Sequence, residues 1–483
     1  MKLNNLLQEV IADVSDEYKD IRITGITNNS LEVKEGYLFI AITGYQVDGH
    51  SYIEQAIKAG ARAVIGEKEL RGLSVPYFKV ENSRAILSDL AKRFYPMKGE
   101  KTIIGITGTN GKTTTSFMLK HIIETYGKTC SLFGSVHNYM NGKKSSSPSI
   151  NTTMDALQLQ KELSKSNDEV VIMEVSSHAL SQYRVKGISY DYALFTNLDH
   201  DHLDYHKDMD DYFSVKAQLF KQLKTDGAAV INANNKWGSK LVKQLSMTNE
   251  QIVWVGNKES DLSIQENKTG DIHFVYKNKE IYSVKLSIHG KHNVQNAALA
   301  FLTARSMGIP GEIIIDALKT FSGVPGRFEV VNHPTGARFV VDYAHTSDAF
   351  AQCLKTGREM GAKRIIHIFG FRGNRDVTKR HGMVDVSAKH SDLCILTLDD
   401  LGTESLEGML SALHELKPSK KGKVISDRSS AIEYAWKIAR EGDWIFITGK
   451  GDEKYKETFL LPTKSDKDTL MYLSKEQETA KVI

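Results

Sequence analysis

The chain has 483 residues, 41% hydrophobic and 25% charged, a composition that fits two or three ordinary globular domains, and nothing in it resembles a repeat array or a long low-complexity linker. Its 63 basic and 59 acidic residues leave a formal charge of +4, too small to imply a nucleic-acid surface, and no apolar run approaches membrane-spanning length. Met1-Lys2-Leu3 lacks a signal-peptide core and Cys130, Cys353 and Cys394 are too scattered for a disulfide framework, so a reducing, cytoplasmic setting is expected.

Residues 1–99 alternate short apolar segments with helical ones. Gly36–Ala41 and Ala63–Ile65 read as strands, and Tyr52–Gly60 as a helix ended by glycine. They predict a small α/β domain without a catalytic constellation, better suited to recognition than to chemistry. Pro96-Met97-Lys98-Gly99-Glu100 then breaks the pattern and sets the first boundary.

The apolar Thr102-Ile103-Ile104 leads into Gly105-Ile106-Thr107-Gly108-Thr109-Asn110-Gly111-Lys112-Thr113-Thr114, and helical spacing follows from Ser116. Strand, glycine-rich turn and helix N-terminus in that order make a phosphate cradle, in which unpaired N–H groups face the anion. Gly108 and Gly111 permit the tight turn, Lys112 can reach terminal phosphates, and the Thr113 hydroxyl can sit on magnesium. Gly105 falls one position too early for the ordinary Walker A spacing, so the reading rests on Gly-Lys-Thr and its context.

Glu169–Val175 and Tyr192–Thr196 are near-continuous apolar runs that suit a mostly parallel buried sheet, whose ligands lie at the carboxyl ends of strands. Glu174 with Ser176-Ser177-His178 ends one run, and Asn197-Leu198-Asp199-His200-Asp201-His202-Leu203-Asp204-Tyr205-His206 follows the other. Such a run can coordinate magnesium, position water, bind an acidic substrate or form a polar turn; zinc is the weaker reading, since no cysteine accompanies the histidines. Lys216, among apolar neighbours at helical spacing, reads by composition as a snorkelling surface lysine. Gly290–Ala300 opens a helix from which His292 or Asn293 can contact a nucleotide base, although capping alone accounts for one asparagine.

Gly323-Val324-Pro325-Gly326 marks a second boundary, giving domains 1–99, 100–326 and 327–483. Four apolar strands are expected beyond it, in Arg338–His345, Arg364–Gly370, Ser391–Thr397 and Asp443–Gly449. The turn Gly370-Phe371-Arg372-Gly373-Asn374-Arg375-Asp376, followed by Lys379-Arg380, suits a carboxylate or phosphate, or else is a solvated basic loop.

Taken together, Gly108–Thr113, Glu174–Leu180, Asp201–His206, Gly290 with His292, Asn293 and Asn296, Pro325-Gly326-Arg327 and Asp342–His345 resemble the ATP-dependent Mur ligases of peptidoglycan synthesis. Within that family the chain is most similar to the members that add the third peptide residue. The resemblance implies an α/β protein of three domains: a small N-terminal domain for a UDP-substrate, a central P-loop-like ATPase domain with a mostly parallel sheet, and a C-terminal Rossmann-like domain for the amino acid. It implies a carboxylate–amine ligase that uses ATP and Mg2+ to extend UDP-N-acetylmuramoyl-L-alanyl-D-glutamate through an acyl phosphate. A cytoplasmic monomer that neither binds nucleic acid nor inserts into membrane is expected.

Carried over by position, Gly108, Thr109, Asn110, Gly111, Lys112, Thr113 and Thr114 hold the ATP phosphates, while His292, Asn293, Arg327 and Asp342 address the rest of the nucleotide. Thr113, Glu174, His202 and a carbamoylated Lys216 hold metal, and Lys112, Lys216 and His345 are the catalytic candidates; for receiving the amine proton, a nearby carboxylate competes with His345. Ser30, Thr152, Thr153, Ser176 and Arg184 are matched to the carboxylate substrate, and Arg375, Asp399, Asp400, Gly449 and Glu453 to the amino acid.

Departures from the family pattern shape the expected specificity. Diaminopimelate-adding members carry Asp-Asn-Pro-Arg where this chain has Asp399-Asp400-Leu401-Gly402, and the missing arginine disfavours diaminopimelate. Acids at Asp400, Asp452 and Glu453 favour lysine or ornithine, with an uncharged amino acid still open. Asn29-Ser30-Leu31 replaces Asp-Ser-Arg and Met154 replaces a proline, so a ligase acting on another carboxylate in a different pathway is the first alternative. A non-catalytic nucleotide-binding protein is the second.

Overall fold

The computed structural model describes residues 1–482 apart from 9, 12–13, 45–46, 146–150, 247–250 and 419. The chain forms two compact units: 1–107, 128–193 and 215–227 in the first, and 108–127, 194–214 and 228–483 in the second.

The first unit begins with a parallel sheet in the order Gly25–Thr27, Tyr37–Ile40, Ala61–Gly66 and Tyr77–Lys79. Strand alternation sends Leu38 and Ile40 to one face and Phe39 to the other. Leu38 and Ile40 pack with Leu3, Leu6, Leu87 and Leu90, whereas Phe39 packs with Ile53, Ala56 and Val64. Leu87 and Leu90 come from the helix Ser83–Phe94, whose N-terminus is capped by Asn82 accepting from the Ala85 N–H. Further along, Val170–Glu174 lies between Thr102–Thr107 and Cys130–Phe133, parallel to both. Its five residues are all buried, as a strand covered on both faces requires.

In the second unit, Ala228–Asn232 of the strand Leu223–Asn232 pairs in parallel with Gln251–Gly256. Leu262–Glu266, Ile272–Tyr276 and Glu280–Val284 then form an antiparallel meander. A six-stranded sheet has the order Glu329–Asn332, Arg338–Asp342, Asp443–Thr448, Arg364–Phe369, Leu393–Leu396 and Gly422–Val424, parallel except for the first strand. The four expected apolar strands are its interior. The two additional strands are short, partly exposed edges that carry little apolar signal. Phe339, Val341, Ile366, Ile368, Ile445 and Ile447 fill one face against Ile432 and Leu470, so the loops after Asp342, Phe369, Leu396 and Thr448 gather at one edge.

Candidate functional site

The second unit contains the glycine loop and the helix Lys112–Thr125, with Gly111 as N-cap at φ 84°. A side chain at Gly111 would run into Asn296, and one at Gly108 into Thr196, so both glycines are required by close approach. The segment after the strand ending at Phe195 holds the loop in place. Asn197 Oδ1 accepts from the Asn110 N–H at 2.9 Å, Thr196 Oγ1 donates to Asn110 O at 2.6 Å, and Thr109 Oγ1 accepts from the Asp199 N–H at 3.0 Å. Lys112 folds back so that Nζ donates to the carbonyls of Gly108 and Thr109, both at 2.9 Å, while the Thr113 hydroxyl accepts from Arg327 Nη2 at 3.4 Å.

Beside this loop lies a cavity of about 300 Å³, lined in part by Asn110, Gly111, Thr114, His292, Asn293, Arg327, Asp342 and His345. Eight positions named from the sequence are thus brought together, and Gly108, Thr109, Lys112 and Thr113 complete the adjoining loop. Asn110 Nδ2, His292 Nδ1 and Arg327 Nε are buried without a hydrogen-bond partner. Three unanswered polar atoms around one cavity mark a ligand site, and two of them are donors fit for a polyanionic nucleotide. Burial lowers the His292 pKa, which keeps the ring neutral. Asp342 uses both oxygens on backbone, accepting from Phe328 N and Ala344 N at 2.6 Å each, and so fixes the turn that carries Arg327.

His345 is anchored through one ring nitrogen. Its Nδ1 lies 2.9 Å from Tyr343 O and therefore carries the proton, which leaves Nε2 as an acceptor 3.8 Å from Asp201 Oδ2. Burial pushes its pKa down to about 3. Asp201 is itself buried, which opposes its charge, but His202 and Lys379, the latter at 3.2 Å, hold it well below the carboxylate range.

Sequence reasoning did not single out Asn197, Asp199, Asn235, Gln295, Asp348, Gln352 or Cys353, which also line the cavity. Asn197 and Asp199 sit within a stretch already notable for its polar density. Asp348 and Gln352 are one turn apart on the helix Ser347–Glu359, a spacing that could have suggested a shared face.

In the first unit, Glu174 is fully buried, and its carboxylate accepts from Ser135 N at 3.1 Å and Ser135 Oγ at 2.9 Å. Around it, Ser135 Oγ donates to Thr152 Oγ1 at 3.1 Å, Thr153 Oγ1 accepts from Ser176 N at 3.0 Å, and Arg184 Nη1 donates to Thr153 O at 2.9 Å. Four of the five residues matched to the carboxylate substrate therefore meet. The fifth, Ser30, lies on the turn Ser30–Glu32 and bonds to Gln55. Lys216 is only 1% exposed, so the snorkelling reading fails. Of the metal candidates, Glu174 and Lys216 belong to the first unit, Thr113 and His202 to the second. Among the described residues no group of three or more His, Cys, Asp or Glu side chains forms a metal cluster.

At the edge of the six-stranded sheet, Asp399 and Asp400 accept from the buried Lys450 Nζ at 3.2 and 2.5 Å, and Glu453 pairs with Arg372 at 2.6 Å. Lys450, Arg428 and Arg372 overcome the burial of Asp399 and lower its pKa to about 2. Gly449, at φ 111°, leaves room for Asp399, and Arg375 is exposed on the neighbouring loop. Arg372 and Arg327 both lie against the Tyr343 ring, at 5.1 and 4.1 Å.

Residues 22–95 match the catalytic domain of the Mur ligase family, 106–304 the Mur ligase middle domain, and 326–451 the Mur ligase glutamate ligase domain. A Bacillus velezensis UDP-N-acetylmuramoyl-L-alanyl-D-glutamate–2,6-diaminopimelate ligase is 38% identical, with 95% of each chain covered. The chain belongs to the Mur ligase family. A Mur ligase of the same name from Aquifex aeolicus is 40% identical with 90% of each covered. A solved structure of that name superposes with a TM-score of 0.67 at 28% identity, over 94% of each chain. The chain is accordingly an ATP-dependent carboxylate–amine ligase with the three-domain Mur fold.

These relatives overturn the expectation that diaminopimelate is disfavoured and lysine or ornithine preferred, and with it the alternatives of another pathway or a non-catalytic protein. The structure supplies the physical reason. Asp400 and Glu453 were counted as acids available to a cationic substrate, but Lys450 and Arg372 already neutralise them.

Proposed function

We propose that this Mur ligase joins 2,6-diaminopimelate to UDP-N-acetylmuramoyl-L-alanyl-D-glutamate. The observation that carries the proposal is that relatives matching nearly the whole chain bear the name of that one reaction. ATP lies along the cavity of the second unit, its phosphates on the N–H groups of Gly108–Thr114 with Lys112 and Arg327 as cations, and its nucleoside beside His292, Asn293 and Asp342. Its terminal phosphoryl passes to the carboxylate substrate held by Thr152, Thr153, Ser176 and Arg184, with Ser30 reading the UDP end. The amine of the amino acid, received by Arg375, Asp399, Asp400, Gly449 and Glu453, then attacks the acyl phosphate, and phosphate leaves.

The residues divide this work by their chemistry. Arg327 and Lys112 stabilise charge that develops on the transferred phosphoryl group. His345, neutral through burial, offers Nε2 to an amine N–H. Thr113, Glu174, His202 and a carbamate on Lys216 would hold magnesium, which would supply charge neutralisation for the phosphates. Domains of 1–99, 100–326 and 327–483, a cytoplasmic location, a monomeric state and the absence of a nucleic-acid partner complete the proposal. In keeping with that location, no helix among the described residues is long and apolar enough to cross a membrane.

A substrate matrix tests it: UDP-N-acetylmuramoyl-L-alanyl-D-glutamate and ATP with diaminopimelate, lysine, ornithine or a neutral amino acid, products read by mass. Diaminopimelate is expected to give the dominant ligated product, and its failure beside a productive competitor overturns the reading.

A further inference from the structure

Tyr343 follows the strand Arg338–Asp342 and lines the nucleotide cavity. Two guanidiniums share its ring, that of Arg327 lying 4.1 Å from the centre and that of Arg372 5.1 Å. They serve different neighbours. Arg327 reaches the Thr113 hydroxyl on the first turn of the phosphate-binding helix. Arg372 donates to Gly449 O at 2.7 Å and to Glu453 Oε2 at 2.6 Å, on the loop assigned to the amino acid, and to the Tyr343 hydroxyl at 3.4 Å.

The two cations are not equally answered. Glu453 neutralises Arg372, whereas among the described residues Arg327 has no ion-pair partner and its Nε is buried without a hydrogen-bond partner. Their distances to one ring place them within about 9 Å of each other, where like charges repel. A phosphate on Arg327 would remove that repulsion. The backbone joins the same two parts: a side chain at Gly326 would strike Gly451 and the Asp452 N–H, and one at Gly451 would press on Gly326 O and Tyr343 Cβ. The segment that leads into Arg327 therefore lies directly against the loop that leads into Glu453, with no side chain between them.

We propose that Tyr343 is a positioning residue that couples the two sites, so that a nucleotide phosphate on Arg327 draws Arg372, and with it the loop of Gly449 and Glu453, into place for the amino acid. This rests on the assignment of the two sites above and holds whichever amino acid is joined. Neutralising Arg327 leaves Arg372 the stronger hold on the shared ring, and the Gly326–Gly451 contact carries any shift of the linker to the loop. By linkage the effect is reciprocal: amino acid in place tightens nucleotide binding by the same factor.

Calorimetric titration of the full-length enzyme with the non-hydrolysable β,γ-imido analogue of ATP, with and without a saturating amino acid, tests the coupling. In the wild type the amino acid is expected to tighten the analogue by about threefold or more, within the range of one cation–ring contact. Tyr343→Leu, which removes the ring, is expected to weaken the analogue and abolish the difference. Tyr343→Phe, which keeps the ring and loses only the hydroxyl contact, should retain most of it. Affinity for UDP-N-acetylmuramoyl-L-alanyl-D-glutamate should be unchanged in both variants, which a general loss of fold would not allow. Equal affinity for the analogue with and without amino acid in the wild type, or wild-type coupling in Tyr343→Leu, overturns the proposal. The titration uses whichever amino acid the wild type ligates, so a failure of the diaminopimelate reading shows in the product and not in the coupling.

Discussion

Arg327 lies with its guanidinium 4.1 Å from the centre of the Tyr343 ring while Nη2 reaches the Thr113 hydroxyl at 3.4 Å. A planar cation is thus stacked on an aromatic face and aimed at the start of the phosphate-binding helix. Replacing Arg327 with alanine is expected to cost about 1.5–3 kcal/mol of ATP binding, the range for a hydrogen bond to a charged group. Lysine at this position should recover little, because it can neither stack nor fork. Calorimetric titration of wild type and both variants with ADP checks this, and equal affinities refute it.

Gly111 sits in the left-handed region beside Asn296. Gly111→Ala adds backbone strain and a collision with a buried side chain, so it should destabilise the fold by about 1–2 kcal/mol and raise the KM for ATP. A lowered urea midpoint at unchanged m-value, together with the raised KM, is the expected pair of results.

Lys216 is buried in the helix Met209–Ala217. Lys216→Met keeps the volume and removes the amine, and should cut turnover about a hundredfold or more while circular dichroism stays that of the wild type. After incubation with 13C-bicarbonate, wild type should show a carbamate carbon resonance that the variant lacks. Full turnover of the variant, or no such resonance in the wild type, removes Lys216 from the chemistry.

His367 is fully buried between Ser387 Oγ and Thr448 Oγ1, each 2.9 Å from a ring nitrogen, and burial lowers its pKa from 6.5 to about 3. In that window the unfolded chain binds a proton that the folded chain refuses. Stability therefore falls as pH drops from about 6.5 towards 3, with a slope of about 1.4 kcal/mol per pH unit from this group. Melting curves of wild type and His367→Gln across that range should diverge as acid is added, the variant losing less on acidification.

The parts of the site that were legible in the sequence were those whose chemistry is local. Gly108, Gly111, Lys112 and Thr113 announce a phosphate loop because turn, cation and hydroxyl lie within six consecutive residues. The interior strands were legible for the same reason, as unbroken apolar runs. Two kinds of information stayed hidden. The edge strands Glu329–Asn332 and Gly422–Val424 are too short and exposed to stand out from loops. The amino-acid specificity was misread because an acid counted along the chain shows no partner. Lys450 lies 50 residues from Asp400, and only the sheet, in which a single strand separates theirs, reveals that the charge is spent.

Arg428 and Asp466 form a pair in which neither side chain has any solvent exposure, and Arg428 also donates to Thr448 O at 2.9 Å, where the strand gives way to Gly449. Asp466 opens the last helix, Asp466–Val482. A truncation before residue 466 would therefore do more than shorten the protein. It would leave a guanidinium without its counter-ion in an apolar interior, beneath the residues assigned to the incoming amino acid, so the tail of the chain helps to build the floor of the pocket.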